Sequence, residues 1–279
     1  MNYDQFIKDL CIRTAKILIN LPSEPNGKDV NPLQLNSKLI FPNYEQDDKK
    51  PRISEQEARF VFCQAFEQMN HGLYYSVETP TEYNYSFKMS KKKDVEDIDD
   101  SISDLKVYLK NPKKKEGQSA QSDMSIFTLE DSGFKQNINV EFKAHNVGLS
   151  YIAKDFLKLL AEPQHGLFFH LVEKMNSGTL VSIFKKYQTS IENTLIRIKE
   201  FNKKLSNDQK RGMIKYNNFN YFFAICILKP EKYLLTKIFT KSDFQKIEEF
   251  FDLEYSVSKG KIDFTEEQNK PTSWNILPL

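Results

Sequence analysis

Ile138-Asn139-Val140-Glu141-Phe142-Lys143-Ala144 decides how this chain is read. The stretch alternates with a period of two, which is the signature of a half-buried strand. Ile138, Val140, Phe142 and Ala144 fall on one face. Asn139, Glu141, Lys143 and the following His145 fall on the other. A carboxylate and an ammonium therefore project side by side from one face.

Upstream, residues 121–130 read as a second strand. It carries Asp123 and is joined to the first by a turn at Asp131-Ser132-Gly133. Asp123 lies eighteen positions before Glu141, a spacing that suits a strand, a turn and the neighbouring strand. Two carboxylates on adjacent strands can hold a hard divalent cation through oxygens. A neighbouring lysine can then position a water or stabilise developing charge.

Residues 3–21 have helical periodicity, with Ile7, Leu10, Cys11, Ile17, Leu18 and Leu21 on one face and Pro22 as the stop. Residues 22–52 read as loop, with a short strand at Leu39-Ile40-Phe41. Ser54 and Glu57 form a capping-box pattern that opens a helix, and Gly72 lies just past its end. Residues 73–87 are strand-like, broken at Thr79-Pro80, and their Tyr and Phe residues read as sheet packing.

Residues 90–118 read as an exposed insertion, with a short helix near 102–109. Its basic runs Lys91-Lys92-Lys93 and Lys113-Lys114-Lys115 flank acidic residues, so it is either a solvated loop or an arm that touches phosphates. Residues 148–161 predict a helix. Residues 167–172 predict a strand buried on both faces, with His170 as a satisfied core residue. Residues 179–205 predict a long helix whose near-heptad stripe packs on a sheet rather than forming a dimer coil. Residues 221–228 predict another two-sided strand. Ser242 is expected to cap a last helix reaching Phe251, and Trp274 and Leu277 to dock back from a polar tail.

From residue 54 the order is helix, three strands, helix, strand, helix, strand. That is an α/β arrangement with a mixed sheet flanked by helices. The expected organisation is an N-terminal helix and extended linker (1–52), a core (53–229) and a C-terminal helix and tail packed on it (230–279).

The bulk composition narrows the function. The 279 residues are 39% hydrophobic and 28% charged, enough for a sizeable core and unlike a disordered chain. The net charge of +2 neither demands nor excludes nucleic acid. Three scattered cysteines and the absence of a basic, apolar leader at the N-terminus point to a reducing cytoplasm. The four histidines lack zinc-like spacing, there is no GxxxxGK[ST] motif, and no apolar run is long enough to span a membrane.

This order of elements, with Ser122-Asp123 on one strand and Glu141-Phe142-Lys143 on the next, resembles the PD-(D/E)XK nuclease superfamily. The resemblance covers about residues 53–229, and position 122 is Ser where the superfamily name has Pro. It implies a restriction-endonuclease-like fold and a Mg2+-dependent (or Mn2+-dependent) nuclease acting on DNA in restriction, repair or defence. Asp123 and Glu141 would hold the metal with the Phe142 carbonyl. Lys143 would orient or deprotonate the nucleophile or stabilise the transition state.

Members commonly carry a Glu near the start of the preceding helix. Glu55 fits that place, and Glu57 is the other candidate, with a competing reading as the partner of Ser54 in the capping box. Gln121 and His145 share the faces of Asp123 and Lys143 and are candidates for substrate contact. Ser150, Lys154 and Lys158 recur at spacings of four and would either line a groove near phosphates or form a solvated helix face. DNA is the expected partner and no membrane is expected. The assembly would be a homodimer or a larger defence or repair complex. The alternative is a catalytically inactive binding or scaffold protein on the same fold.

Overall fold

The computed structural model describes residues 2–21, 53–69, 71–87, 102, 105–110, 117–207, 209, 213–214, 219–229, 232–240, 242–251 and 274–279. The expected strand at Leu39-Ile40-Phe41 and the two lysine runs of the insertion lie outside these residues.

The elements are α1 (Tyr3–Leu18), α2 (Glu55–Glu67), β1 (Tyr74–Phe87), β2 (Leu105–Tyr108), β3 (Gln118–Glu130), β4 (Gly133–Ala144), α3 (Leu149–Ala161), β5 (His165–Lys174), α4 (Ser177–Lys204), β6 (Tyr221–Lys229), β7 (Tyr233–Phe239), α5 (Ile247–Phe251) and β8 (Asn275–Pro278). Among the described residues the strands form one eight-stranded sheet in the order β2-β1-β3-β4-β5-β6-β7-β8. β4, β5 and β6 are mutually parallel, and every other neighbouring pair is antiparallel. The parallel steps are made by crossovers through α3 and α4, because parallel neighbours cannot be joined by a tight turn.

Helices cover both faces. On one side α1 and α2 pack Leu10, Phe62 and Phe66 against Ile138, Val140, Phe142 and Phe169. On the other, α3 and α4 pack Phe156, Phe184 and Tyr187 against Phe168, Phe223 and Ile225. β4 thus presents Ile138, Val140, Phe142 and Ala144 to the α1–α2 side, as its alternation predicts. β5 and β6 are buried on both faces, which explains their uninterrupted apolar reading. The stripe of α4 is buried within this chain's own core and is not available to a coiled-coil partner.

Several local readings follow from the residues. Ser54 caps α2 and Glu57 closes a complete capping box. Gly72 adopts φ 69°, the left-handed conformation that glycine tolerates best. β1 is irregular where Thr79-Pro80 interrupts it. Glu78 has φ 52°, and the pairing with β3 shifts between Pro80 and Asn84. The Glu162 carboxylate, buried after α3, accepts hydrogen bonds there from the backbone N–H of Glu82 (2.6 Å) and Tyr83 (3.1 Å) and from the Tyr85 hydroxyl (2.6 Å).

Other expectations are corrected. Leu105–Tyr108 is a strand, not the short helix expected near 102–109. Leu105 and Val107 are buried, so this part of the insertion is not exposed. Ser242 makes no side-chain cap. A 3-10 turn at Asp243–Gln245 precedes the short α5, because the Asp243 carboxylate turns back to the Thr240 N–H. The region after residue 229 adds β7 and β8 to the sheet, neither of which the sequence reading contained. Trp274 does dock, stacking on Phe184 at 5.1 Å between ring centres. Leu277 stays partly exposed and is held by strand pairing opposite Leu234.

His170 is fully buried in β5. Its Nε2 is 2.5 Å from the His145 carbonyl oxygen, which can only accept. With the buried ring neutral, Nδ1 then accepts from the Tyr187 hydroxyl at 2.6 Å. Burial lowers its pKa from 6.5 to about 4. Between those values the unfolded chain binds a proton that the native state does not, so stability falls as pH falls through this window. Acidification from pH 7 to 4 should cost about 3 kcal/mol through this one group. Urea unfolding of the wild type and His170→Gln at both pH values checks this: the variant should lose that share of the pH dependence.

Candidate active site

β3 and β4 bring Asp123 and Glu141 together. Met124 is registered opposite Val140, so the residues just beyond that pair, Asp123 and Glu141, are neighbours across the ladder. The Phe142 N–H donates to Asp123 Oδ2 at 2.8 Å, fixing the carboxylate against the β4 backbone. Lys143 Nζ donates to the Phe142 carbonyl at 2.8 Å. It also pairs with Glu55 Oε2 at 3.3 Å, at the N-terminal end of α2, and with Asp155 Oδ2 at 2.7 Å, from α3. Lys143 therefore lies between the two helical layers at the sheet's end.

Behind it, Lys158 Nζ lies 2.6 Å from Glu141 Oε2, 3.5 Å from Asp155 Oδ1 and 3.0 Å from the Gln121 carbonyl oxygen. Glu141, Asp155 and Lys158 are 0%, 3% and 4% exposed, whereas the Glu55 side chain is 41% exposed and Asp123 is half-buried. The cluster is closed on the α3 side and open on the side of Glu55 and Asp123.

Six charged groups thus share one small volume. With all four carboxylates ionised, Glu55, Asp123, Glu141 and Asp155 outnumber the ammonium groups of Lys143 and Lys158 by two negative charges. Burial pushes the Glu141 carboxyl well above the usual carboxylate range, against the pull of Lys158 and with the push of Asp155 and Asp123. Burial raises Glu55 too, against Lys143. Burial alone would lower both lysines, but Asp155 and Glu55 hold the Lys143 ammonium above the ordinary lysine value, and Glu141 and Asp155 do the same for Lys158. The cluster lacks positive charge when fully ionised, and the raised carboxyls tend to keep their protons instead.

A divalent cation suits that deficit. Among the described residues no three His, Cys, Asp or Glu side chains converge as a metal cage. Mg2+ does not need one: it is commonly held by one or two carboxylates and completes its shell with water. Glu141 Oε1 is buried and has no hydrogen-bond partner, an orphaned acceptor of the kind a cation satisfies. Asp123, Glu141 and the Phe142 carbonyl are thus a chemically fitting donor set.

The other candidates are placed as follows. Glu57 is used by the cap of α2, with the Ser54 N–H donating to it at 2.8 Å. Gln121 is exposed and meets the cluster through its backbone carbonyl. His145 does not continue the face of Lys143. It has φ 66°, its N–H donates to the Leu171 carbonyl at 2.6 Å, and the strand has already ended. Lys154 points elsewhere, with Nζ 4.7 Å from the centre of the Phe87 ring. Lys158 is not on a solvated face but inside the cluster.

Asp155 was missed in the sequence reading. Its signal was available: it is the sole acidic residue of α3, three positions before Lys158 on a mostly apolar helix. The chain matches no family model, no curated protein and no solved structure.

The charge deficit predicts an asymmetry. Without metal, Lys158→Met strands two buried carboxylates and should cost about 3–5 kcal/mol of stability. Glu141→Gln replaces a group whose charged form burial already disfavours and should cost much less. Urea unfolding of both variants beside the wild type measures the difference.

Proposed function

We propose that this chain is a Mg2+-dependent phosphodiesterase acting on DNA, a nuclease of the PD-(D/E)XK type on a restriction-endonuclease-like fold. The observation that carries this reading is the meeting of Asp123, Glu141 and Lys143 at one sheet end, in a cluster that is two positive charges short when fully ionised and open on one side. Asp123 and Glu141, with the Phe142 carbonyl, would hold the ion. Bound there, Mg2+ would neutralise phosphoryl oxygens and make a coordinated water more acidic.

The remaining chemistry belongs to the side chains. Lys143, paired with Asp155 and Glu55, is placed to act as an ammonium. It donates to the attacking water or to the phosphoryl oxygen on which charge develops. Glu55 and Asp155, on opposite helical layers, fix the direction of that ammonium. The open side at Glu55 and Asp123 is where a phosphate backbone would approach. Among the described residues no helix is long and apolar enough to cross a membrane.

A second reading is an inactive binding or scaffold protein. It is favoured by one observation: Glu141 is fully buried and both lysines already engage oxygens that the metal would use.

Cleavage of plasmid, linear and single-stranded DNA, and of RNA, with Mg2+, with Mn2+ and with chelator separates the two. The wild type should cut DNA only with the metal, and Asp123→Ala should abolish it. Lys143→Ala should lose about 10²–10³-fold in rate, the scale for removing one preorganised donor, while binding metal no more weakly. Equal activity in all three proteins sinks the proposed site. Cleavage by none of them under any condition favours the scaffold.

A further inference from the structure

We propose that Lys158 is a built-in stand-in for the divalent cation, so that metal binding is an exchange in which Glu141 trades an ammonium for the incoming ion. This deepens the proposed metal-dependent function and rests on that reading.

The geometry supports it in three ways. First, the Lys158 ammonium is closest to Glu141, at 2.6 Å from Oε2, an oxygen of one of the two carboxylates assigned to the ion. A buried carboxylate with neither partner nor water costs several kcal/mol, so a metal-free site needs a proton or a resident cation there, and Lys158 is the cation within reach. Second, Lys158 has somewhere to go. An ammonium has three donors, and the Gln121 carbonyl at 3.0 Å and Asp155 at 3.5 Å remain as acceptors when Glu141 is taken. A small shift towards Asp155 would keep the lysine paired while freeing Oε2.

Third, Lys143 does the same at the next position, covering the Phe142 carbonyl at 2.8 Å while anchored on Asp155 at 2.7 Å. Asp155 is the shared acceptor on which both lysines can lean. The site is therefore satisfied in part when empty, and an entering ion must outcompete a charge already in place. Lys158 would thereby weaken metal affinity.

The test uses Mn2+ and the full chain. Titration calorimetry measures Mn2+ binding, and thermal unfolding is followed with and without the ion, for the wild type, Lys158→Gln and Lys158→Arg. Lys158→Gln keeps hydrogen-bond donors but removes the charge. Its Kd for Mn2+ should fall by at least about tenfold, as expected when one unit charge a few ångströms from a divalent ion is withdrawn. Mn2+ should also raise its Tm by more than it raises that of the wild type. Lys158→Arg keeps the charge and should keep the wild-type affinity.

Unchanged or weaker binding by a folded Lys158→Gln overturns the exchange while leaving the metal site standing. Tighter binding by both variants also overturns it, because charge would not be the cause. No binding by any of the three proteins overturns the exchange and the metal-dependent function together. Folding of Lys158→Gln only in the presence of Mn2+ supports the exchange. Failure to fold with or without the ion assigns Lys158 a purely structural role and overturns it.

Discussion

A carboxyl group cut off from water needs either a proton or a cation beside it, and Glu141, whose burial raises its pKa, is held against Lys158. Its pairing with Lys158 sets demands on the rest of the structure. Lys158 sits on α3, so α3 must lie across the β3–β4 ladder. That placement follows from the parallel step from β4 to β5, whose crossover α3 supplies. Asp155, one turn away on the same helix, then reaches Lys143, and Lys143 reaches Glu55 on the opposite layer. One buried ion pair thus ties the two helical layers together through the sheet's end. Replacing such a network with apolar side chains is often neutral or stabilising in proteins at large. Its presence at an opening in the fold therefore asks for a reason beyond stability.

The same sheet separates two environments with little between them. On the even-numbered side of β4, Ile138, Val140 and Phe142 sit in a dry aromatic core with Phe62 and Phe169. On the odd-numbered side, Asn139 exchanges hydrogen bonds with Ser125 and Gln164, and Glu141 and Lys143 join the ion cluster. The apolar face immobilises the strand, and the polar face inherits that rigidity. Groups meant to act on charge gain from this arrangement, because donors fixed in advance need no rearrangement when charge develops.

Much of this was legible in the sequence, for identifiable reasons. The alternation at 138–144 assigns the faces of β4 because the period of a strand is fixed by its pleat. The capping box at Ser54 and the two-sided apolar runs of β5 and β6 were equally plain, since local hydrogen bonding and double burial leave direct traces in composition. The failures are as specific. Lys158 and Lys154 sit four apart and read as one row, facing either a groove near phosphates or solvent, because lysine is rarely buried without a partner and the partner is remote in sequence. β2 has four residues, too few to tell a strand from a helical turn. His145 left its expected face because one residue took a left-handed conformation, which alternation cannot reveal. The ion cluster itself is tertiary: the fourth carboxylate, Asp155, stands out in the sequence as the lone acid of α3, but its partner Lys143 is found only once α3 is laid beside β4.

Glu162 has a consequence for how far this architecture can vary. Its carboxylate grips two backbone amides and a tyrosine hydroxyl at the irregular stretch of β1, one turn of chain beyond Lys158. The far end of α3 is thereby riveted to the sheet. Displacement of β1 would be resisted at that rivet before it reached Lys158 and Glu141. The outer edge of the sheet and the charged cluster behind it are thereby held in one register by a residue that belongs to neither.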